Sequence, residues 1–239
     1  MRESGFDYVE LSLRDVVALS TAPRSELSAR LEALELPCEA CNNFFPAEVR
    51  LTGPDADVEQ AIAYAATALD CAAQLGAAVV VFGSSGARNV PDGFAMKKAR
   101  RQLIELLRRL GALAKERGIT IVIEPLNKGE SNIINSVPEG LRLARAVDHP
   151  NVQLLVDFYH LTAERERPGV LRAAGTTIQH VHFARPEGRT FPAEWTEGYD
   201  EFFRGLAAIG YERRCSIEAY SADFVSDARR CLGSLRERL

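Results

Sequence analysis

Four residues of the sequence carry side chains that bind metal ions, and each stands where an apolar run ends. Glu124 closes "TIVIE", Asp157 closes "QLLVD", His182 lies near the end of "IQHVHF" and Glu218 near the end of "CSIEA". Their separations, 33, 25 and 36 residues, each match one strand-plus-helix unit. Side chains placed this way on consecutive strands of a barrel converge on one point. Three carboxylates and one imidazole make a mostly oxygen site, which suits Mn²⁺ or Mg²⁺ better than a metal that prefers thiolates. His180 shares its face with His182, because residues two apart on a strand point the same way, and it lies one layer deeper. Glu10 also ends a strand-like piece, and is read as structural.

The elements that must position these residues alternate along the chain. Strand-like pieces are expected at 8–11, 37–41, 78–83, 120–124, 153–157, 178–183 and 215–219, and helical patterns at about 24–35, 55–75, 93–117, 136–147, 163–174, 198–209 and 223–238. Gly76, Gly118, Gly175 and Gly210 fall where helices should end. Seven strand-then-helix units imply a parallel sheet. No G-x-G-x-x-G follows a strand, so a dinucleotide-binding open sheet is unsupported. Polar residues at the C-terminal ends of strands favour a (β/α)₈ TIM barrel, which puts its chemistry on that face. Such a barrel has eight strands and seven are found. "ESGFDYVEL" reads as the end of a first helix and a second strand, so strand 1 and most of helix 1 are expected to be missing, through a late start or a variant with an open seam.

With 239 residues, 46% hydrophobic and 26% charged, the chain is expected to form a single domain over 1–239. A net charge of -4 argues against nucleic acid. No apolar run reaches membrane-spanning length and the start has no signal-peptide core, so a cytoplasmic protein away from membranes is expected. Five cysteines suggest reduced thiols. Cys38 and Cys41 form a C-x-x-C on a strand running into a loop, without a second pair for structural zinc, and are expected to pack.

"IVIEPLNKGESN", "LLVDFYH", "HVHFARPEGR" and "SIEAY" resemble, in order, the four site motifs of the sugar isomerase/epimerase family with a xylose isomerase-like barrel. This family includes ketose 3-epimerases, hydroxypyruvate isomerase and inosose dehydratase, with endonuclease IV a distant relative. The resemblance implies that Glu124, Asp157, His182 and Glu218 bind one divalent metal, Mn²⁺ first, with Mg²⁺, Co²⁺ or Zn²⁺ as alternatives. It implies that Glu130, His160 and Arg189 contact substrate, and that Glu124 and Glu218 move the proton on opposite faces of a carbon beside a carbonyl, through an enediolate. "FGSSGARNVP" is similar to the family's loop over the site.

The expected activity is therefore epimerisation or isomerisation of a small sugar or polyhydroxy carbonyl compound, with a related lyase also open. The alternative is a metal- or sugar-binding barrel without turnover. DNA repair of the endonuclease IV kind is disfavoured by only four histidines and the acidic balance. Arg88, Lys128, Arg185 and Arg189 are candidates for holding a phosphate, His149 is read as structural, and Trp195 as closing over a ligand or packing on a neighbouring subunit. Unpaired strand edges at the seam imply a homodimer or higher oligomer.

Overall fold

The computed structural model describes residues 1–167 and 169–237. Its frame is one parallel sheet of seven strands in which neighbours in sequence are neighbours in space: β1 (Val9–Ser12), β2 (Cys38–Asn42), β3 (Val79–Phe82), β4 (Thr120–Ile123), β5 (Val152–Asp157), β6 (Ile178–Phe183) and β7 (Cys215–Ile217). All seven coincide with the expected strand segments. The sheet curls into a nearly closed barrel. β1 and β7 share no ladder among the described residues, yet the Tyr8 hydroxyl lies 2.7 Å from Ser216 Oγ across the seam.

Strand alternation divides the core in two. Val80, Phe82, Ile121, Ile123, Leu154 and Val156 belong to the large cluster shared with the helices, whereas Val81, Val122 and Leu155 form a small separate one inside the barrel. Because successive side chains point to opposite faces, residues two positions beyond an interior one point inward again. That parity carries Gly83, Glu124 and Asp157 to the interior at the C-terminal ends of β3, β4 and β5. It also gives β6 two inward imidazoles, since Val181 and Phe183 face the helices.

The outer layer consists of α1 (Leu13–Ala18), α2 (Thr21–Ala33), α3 (Val58–Leu75), α4 (Ser85–Arg88), α5 (Met96–Glu116), α6 (Val137–Val147), α7 (Phe158–Ala163), α8 (Gly169–Ala174), α9 (Glu197–Ala207) and α10 (Phe224–Arg236). α3 shows how the boundaries arise. The Asp57 carboxylate accepts from the Gln60 N–H at 3.0 Å, and Gly76 ends the helix in the left-handed conformation at φ 85°.

The helix expected at 163–174 is a correction. α7 instead runs directly out of β5, its first turn capped by Asp157, which accepts from the Tyr159 N–H at 2.8 Å. Arg165, at φ 55°, breaks the chain out of helical geometry before α8 begins at Gly169. The short α1 and α4 also lie where a loop was expected. Cys38 and Cys41 are buried on β2 with free thiols 3.8 Å apart, as packing residues. No helix among the described residues is long and apolar enough to cross a membrane.

Candidate metal and catalytic centre

Glu124, Asp157, His182 and Glu218 meet at the C-terminal mouth of the barrel, each offering a ligand atom within 4.8 Å of the others. His182 Nδ1 lies 3.2 Å from Glu124 Oε1 and 3.0 Å from Glu218 Oε2. Glu124, Asp157 and His182 are buried; Glu218 is half-buried at the rim. Gly83 opposite leaves room for Glu124, since a Cβ built there collides with Glu124 Oε2. Asn42 from β2 donates its amide to Glu218 Oε1 at 2.9 Å, a contact that no motif announces.

The buried carboxylates and the charges around them shift one another's titration. Burial raises the Glu124 carboxyl, and burial together with the neighbouring carboxylates pushes Asp157 up to about 7. Burial also works against Glu218, but the His182 imidazole and the Arg189 guanidinium outweigh it and bring it down to about 2. For His182 burial opposes the charged form, yet Glu10 and Glu218 prevail and its pKa is raised well above the usual value. A buried point faced by three carboxylates and one imidazole fits a hard divalent ion, because the donors are mostly oxygen and converge.

The three residues expected at the substrate ring this cluster. Arg189 reaches Glu218 Oε2 at 2.5 Å and Asp157 Oδ2 at 3.3 Å, with its guanidinium 4.8 Å from the Tyr159 ring centre. It occupies a left-handed position, φ 49°, after Gly188, so the loop turns sharply to aim it inward. Glu130 is more open, 3.7 Å from Arg189 and held by the Asn127 amide at 2.9 Å. His160 is buried, and its Nδ1 accepts the Asn127 backbone N–H at 3.2 Å. Burial and the Arg189 charge hold His160 down at about 3, so it is neutral. A backbone N–H can only donate, so the ring proton of His160 is on Nε2. That atom is buried without a partner, 3.5 Å from Asp157 Oδ2.

Other expectations resolve differently. Arg88 is fully buried, its guanidinium donating to the carbonyls of Phe82 and Glu124 at 2.9 and 2.8 Å; it braces the ends of β3 and β4 and cannot hold a phosphate. Lys128 pairs with Glu164 and Arg185 with Glu187. Trp195 stacks on Phe203 and donates to Asp200 at 2.7 Å, so it packs within its own chain. His149 sits before β5, its Nδ1 accepting the Asn151 N–H at 3.1 Å. A cavity of about 830 Å³ is lined by Phe158, Thr162, Thr190 and Tyr220, each one or two positions from a site residue.

A nearly closed parallel barrel with carboxylates and histidines converging at its strand ends defines the class. Residues 1–237 match the family model of the xylose isomerase-like TIM barrel, and the chain belongs to that family. Among curated proteins it is 28% identical to the L-ribulose 3-epimerase of Methylomonas sp. (strain DH-1), over 93% of this chain and 77% of that protein. It is 30% identical to the D-psicose 3-epimerase of Ruminiclostridium cellulolyticum over 49% of this chain and 40% of that protein. Among solved structures it is similar to a D-allulose 3-epimerase from Methylomonas sp. in complex with D-allulose, with a TM-score of 0.88, 24% identity and coverage of 99% and 88% of the two chains. The E. coli 3-keto-D-glucoside 4-epimerase superposes with a TM-score of 0.83 at 22% identity, covering 99% and 91%.

Proposed function

We propose that this protein is a divalent-metal-dependent epimerase or isomerase of a small ketose or related polyhydroxy carbonyl compound, with a ketose 3-epimerase as the leading reading. The observation that carries it is the convergence of Glu124 and Glu218 on His182 Nδ1, at 3.2 and 3.0 Å, with Asp157 in the same cluster. Relatives named as epimerases of L-ribulose and D-psicose support the substrate class.

Glu124, Asp157, His182 and Glu218 would hold the ion, Mn²⁺ by preference. When bound it supplies a Lewis acid that polarises a carbonyl, a term worth several kcal/mol. The remaining work belongs to the chain. Glu124 and Glu218 flank the reacting carbon, one removing its proton and the other returning a proton from the opposite face. A positioned carboxylate contributes about 10²–10⁴-fold to such a step. His160 Nε2–H donates to a substrate oxygen, its tautomer fixed by Asn127. Arg189 places a positive charge beside the developing oxyanion, and Glu130 receives a hydroxyl at the mouth. Returning the proton to the same carbon inverts it; returning it to the neighbouring carbon interconverts aldose and ketose.

The reading extends to a single domain over residues 1–239, cytoplasmic, engaging neither nucleic acid nor membrane and assembling as a homodimer or higher homo-oligomer. The net charge of -4 and the lack, among the described residues, of a ladder between β1 and β7 support it. Chromatographic analysis of D-fructose, D-psicose, L-ribulose, hydroxypyruvate and inososes, incubated with protein and Mn²⁺ or with chelator, tests the activity. Metal-dependent conversion of at least one ketose is expected; no conversion of any compound favours a barrel that binds without turnover.

A further inference from the structure

One layer below the cluster, Glu10 receives the two histidines of β6. Its Oε1 lies 2.8 Å from His182 Nε2 and its Oε2 2.9 Å from His180 Nε2, and Ser216 Oγ–H donates to the same Oε2. The Tyr8 hydroxyl in turn reaches Ser216 at 2.7 Å. The Glu10 side chain is only 8% exposed. Both of its oxygens are thus faced by groups able to donate, two imidazole nitrogens and a hydroxyl, as an ionised carboxylate requires. A carboxylate can only accept hydrogen bonds. Each imidazole must therefore present its Nε2–H to Glu10, and His180 Nδ1, buried without a partner, is left as the lone-pair side. For His182 the same constraint turns Nδ1 toward Glu124 and Glu218.

We propose that Glu10 is a positioning residue that fixes the ring orientation and tautomer of His182, so that Nδ1 is the atom offered to the metal, and that Ser216 and Tyr8 anchor Glu10 across the open seam. Carboxylates behind ligating histidines act this way in general, orienting the ring and raising its basicity. Here the carboxylate comes from β1 and the histidine from β6, with Ser216 on β7 between them. One polar clasp thus bridges the first and last strands and supports a metal ligand. The inference rests on the metal reading above.

The test measures Mn²⁺ affinity by calorimetry for the wild type, Glu10→Gln and Tyr8→Phe, together with apo melting temperatures. Glu10→Gln should weaken Mn²⁺ binding by about 10–100-fold. Tyr8→Phe, at the far end of the clasp, should change it by less than about threefold while lowering the melting temperature. Equal affinity in the wild type and Glu10→Gln would overturn the proposal while leaving the metal reading intact. No Mn²⁺ binding by the wild type would sink both. Should Glu10→Gln fail to fold, ¹⁵N NMR of wild-type imidazoles with diamagnetic Zn²⁺ decides. His182 should keep its Nε2 proton and bind through Nδ1, and a ring bound through Nε2 would refute the proposal.

Discussion

Glu218 is the residue on which the proposed chemistry turns most sharply. Glu218→Gln keeps the size and one oxygen ligand, so metal binding should weaken yet survive, while epimerisation should fall by at least about 10²-fold. A normal rate in an epimerisation assay would remove Glu218 from proton transfer and leave it a ligand alone. Gly83 tests the space around its partner. A methyl there collides with Glu124 Oε2, so Gly83→Ala should lower turnover by about 10²-fold in a folded protein, since small misplacements at a reacting centre are costly. Unchanged turnover in that variant would show that Glu124 adapts. His160, held at about 3, makes a pH prediction. Below pH about 6.5 the unfolded chain takes up a proton that the folded chain refuses, so stability falls as pH drops from 6.5 toward 3. Melting curves of His160→Gln should show a shallower decline across that window; parallel declines would contradict the assignment. At this scale the sequence was informative where a ligand type ended an apolar run. It was silent where the partner was an ordinary polar residue, such as Asn42, Asn127 or Ser216, whose meaning comes only from the strand facing it. Glu10 fell between the two: its position was visible, but its two histidine partners come from a strand some 170 residues away.

The strands were legible as elements because those buried on both faces read as continuous apolar runs, "AVVVFG" and "QLLVD" among them. The long amphipathic helices were legible for the matching reason. The misses, α1, α4 and α7, are one or two turns long, too short for periodicity to register, and α7 depends on its cap at Asp157. How closely helices approach the barrel was equally hidden. Gly111 sits in the middle of α5, where glycine is about 1 kcal/mol worse than alanine. Its place follows from the His149 ring, which a Cβ would meet at 2.6 Å, with Val152 at 3.0 Å. Gly111→Ala should therefore lower stability despite its better helix propensity, because overpacking typically costs about 1–3 kcal/mol. A raised melting temperature would mean that the loop before β5 yields.

At the scale of the whole molecule, the barrel is nearly closed rather than closed. β1 and β7 leave backbone groups without a ladder partner among the described residues, and the clasp through Tyr8, Glu10 and Ser216 joins them only by side chains. The homo-oligomer expected from such edges is checked by light scattering on the eluting protein; a strictly monomeric species at micromolar concentration would count against it. Tyr220 and Val225, which follow β7 in the chain, are large side chains exposed to solvent. In the proposed reaction, a metal held by four strand ends would let two carboxylates move one proton of a ketose. It is tested most directly by mass spectrometry of ketoses incubated in D₂O with the Mn²⁺-loaded or the chelated protein. One non-exchangeable deuterium is expected in the epimerised product with Mn²⁺, and none after chelation. Epimerisation without deuterium uptake, or uptake at equal rate in the chelated protein, would contradict it.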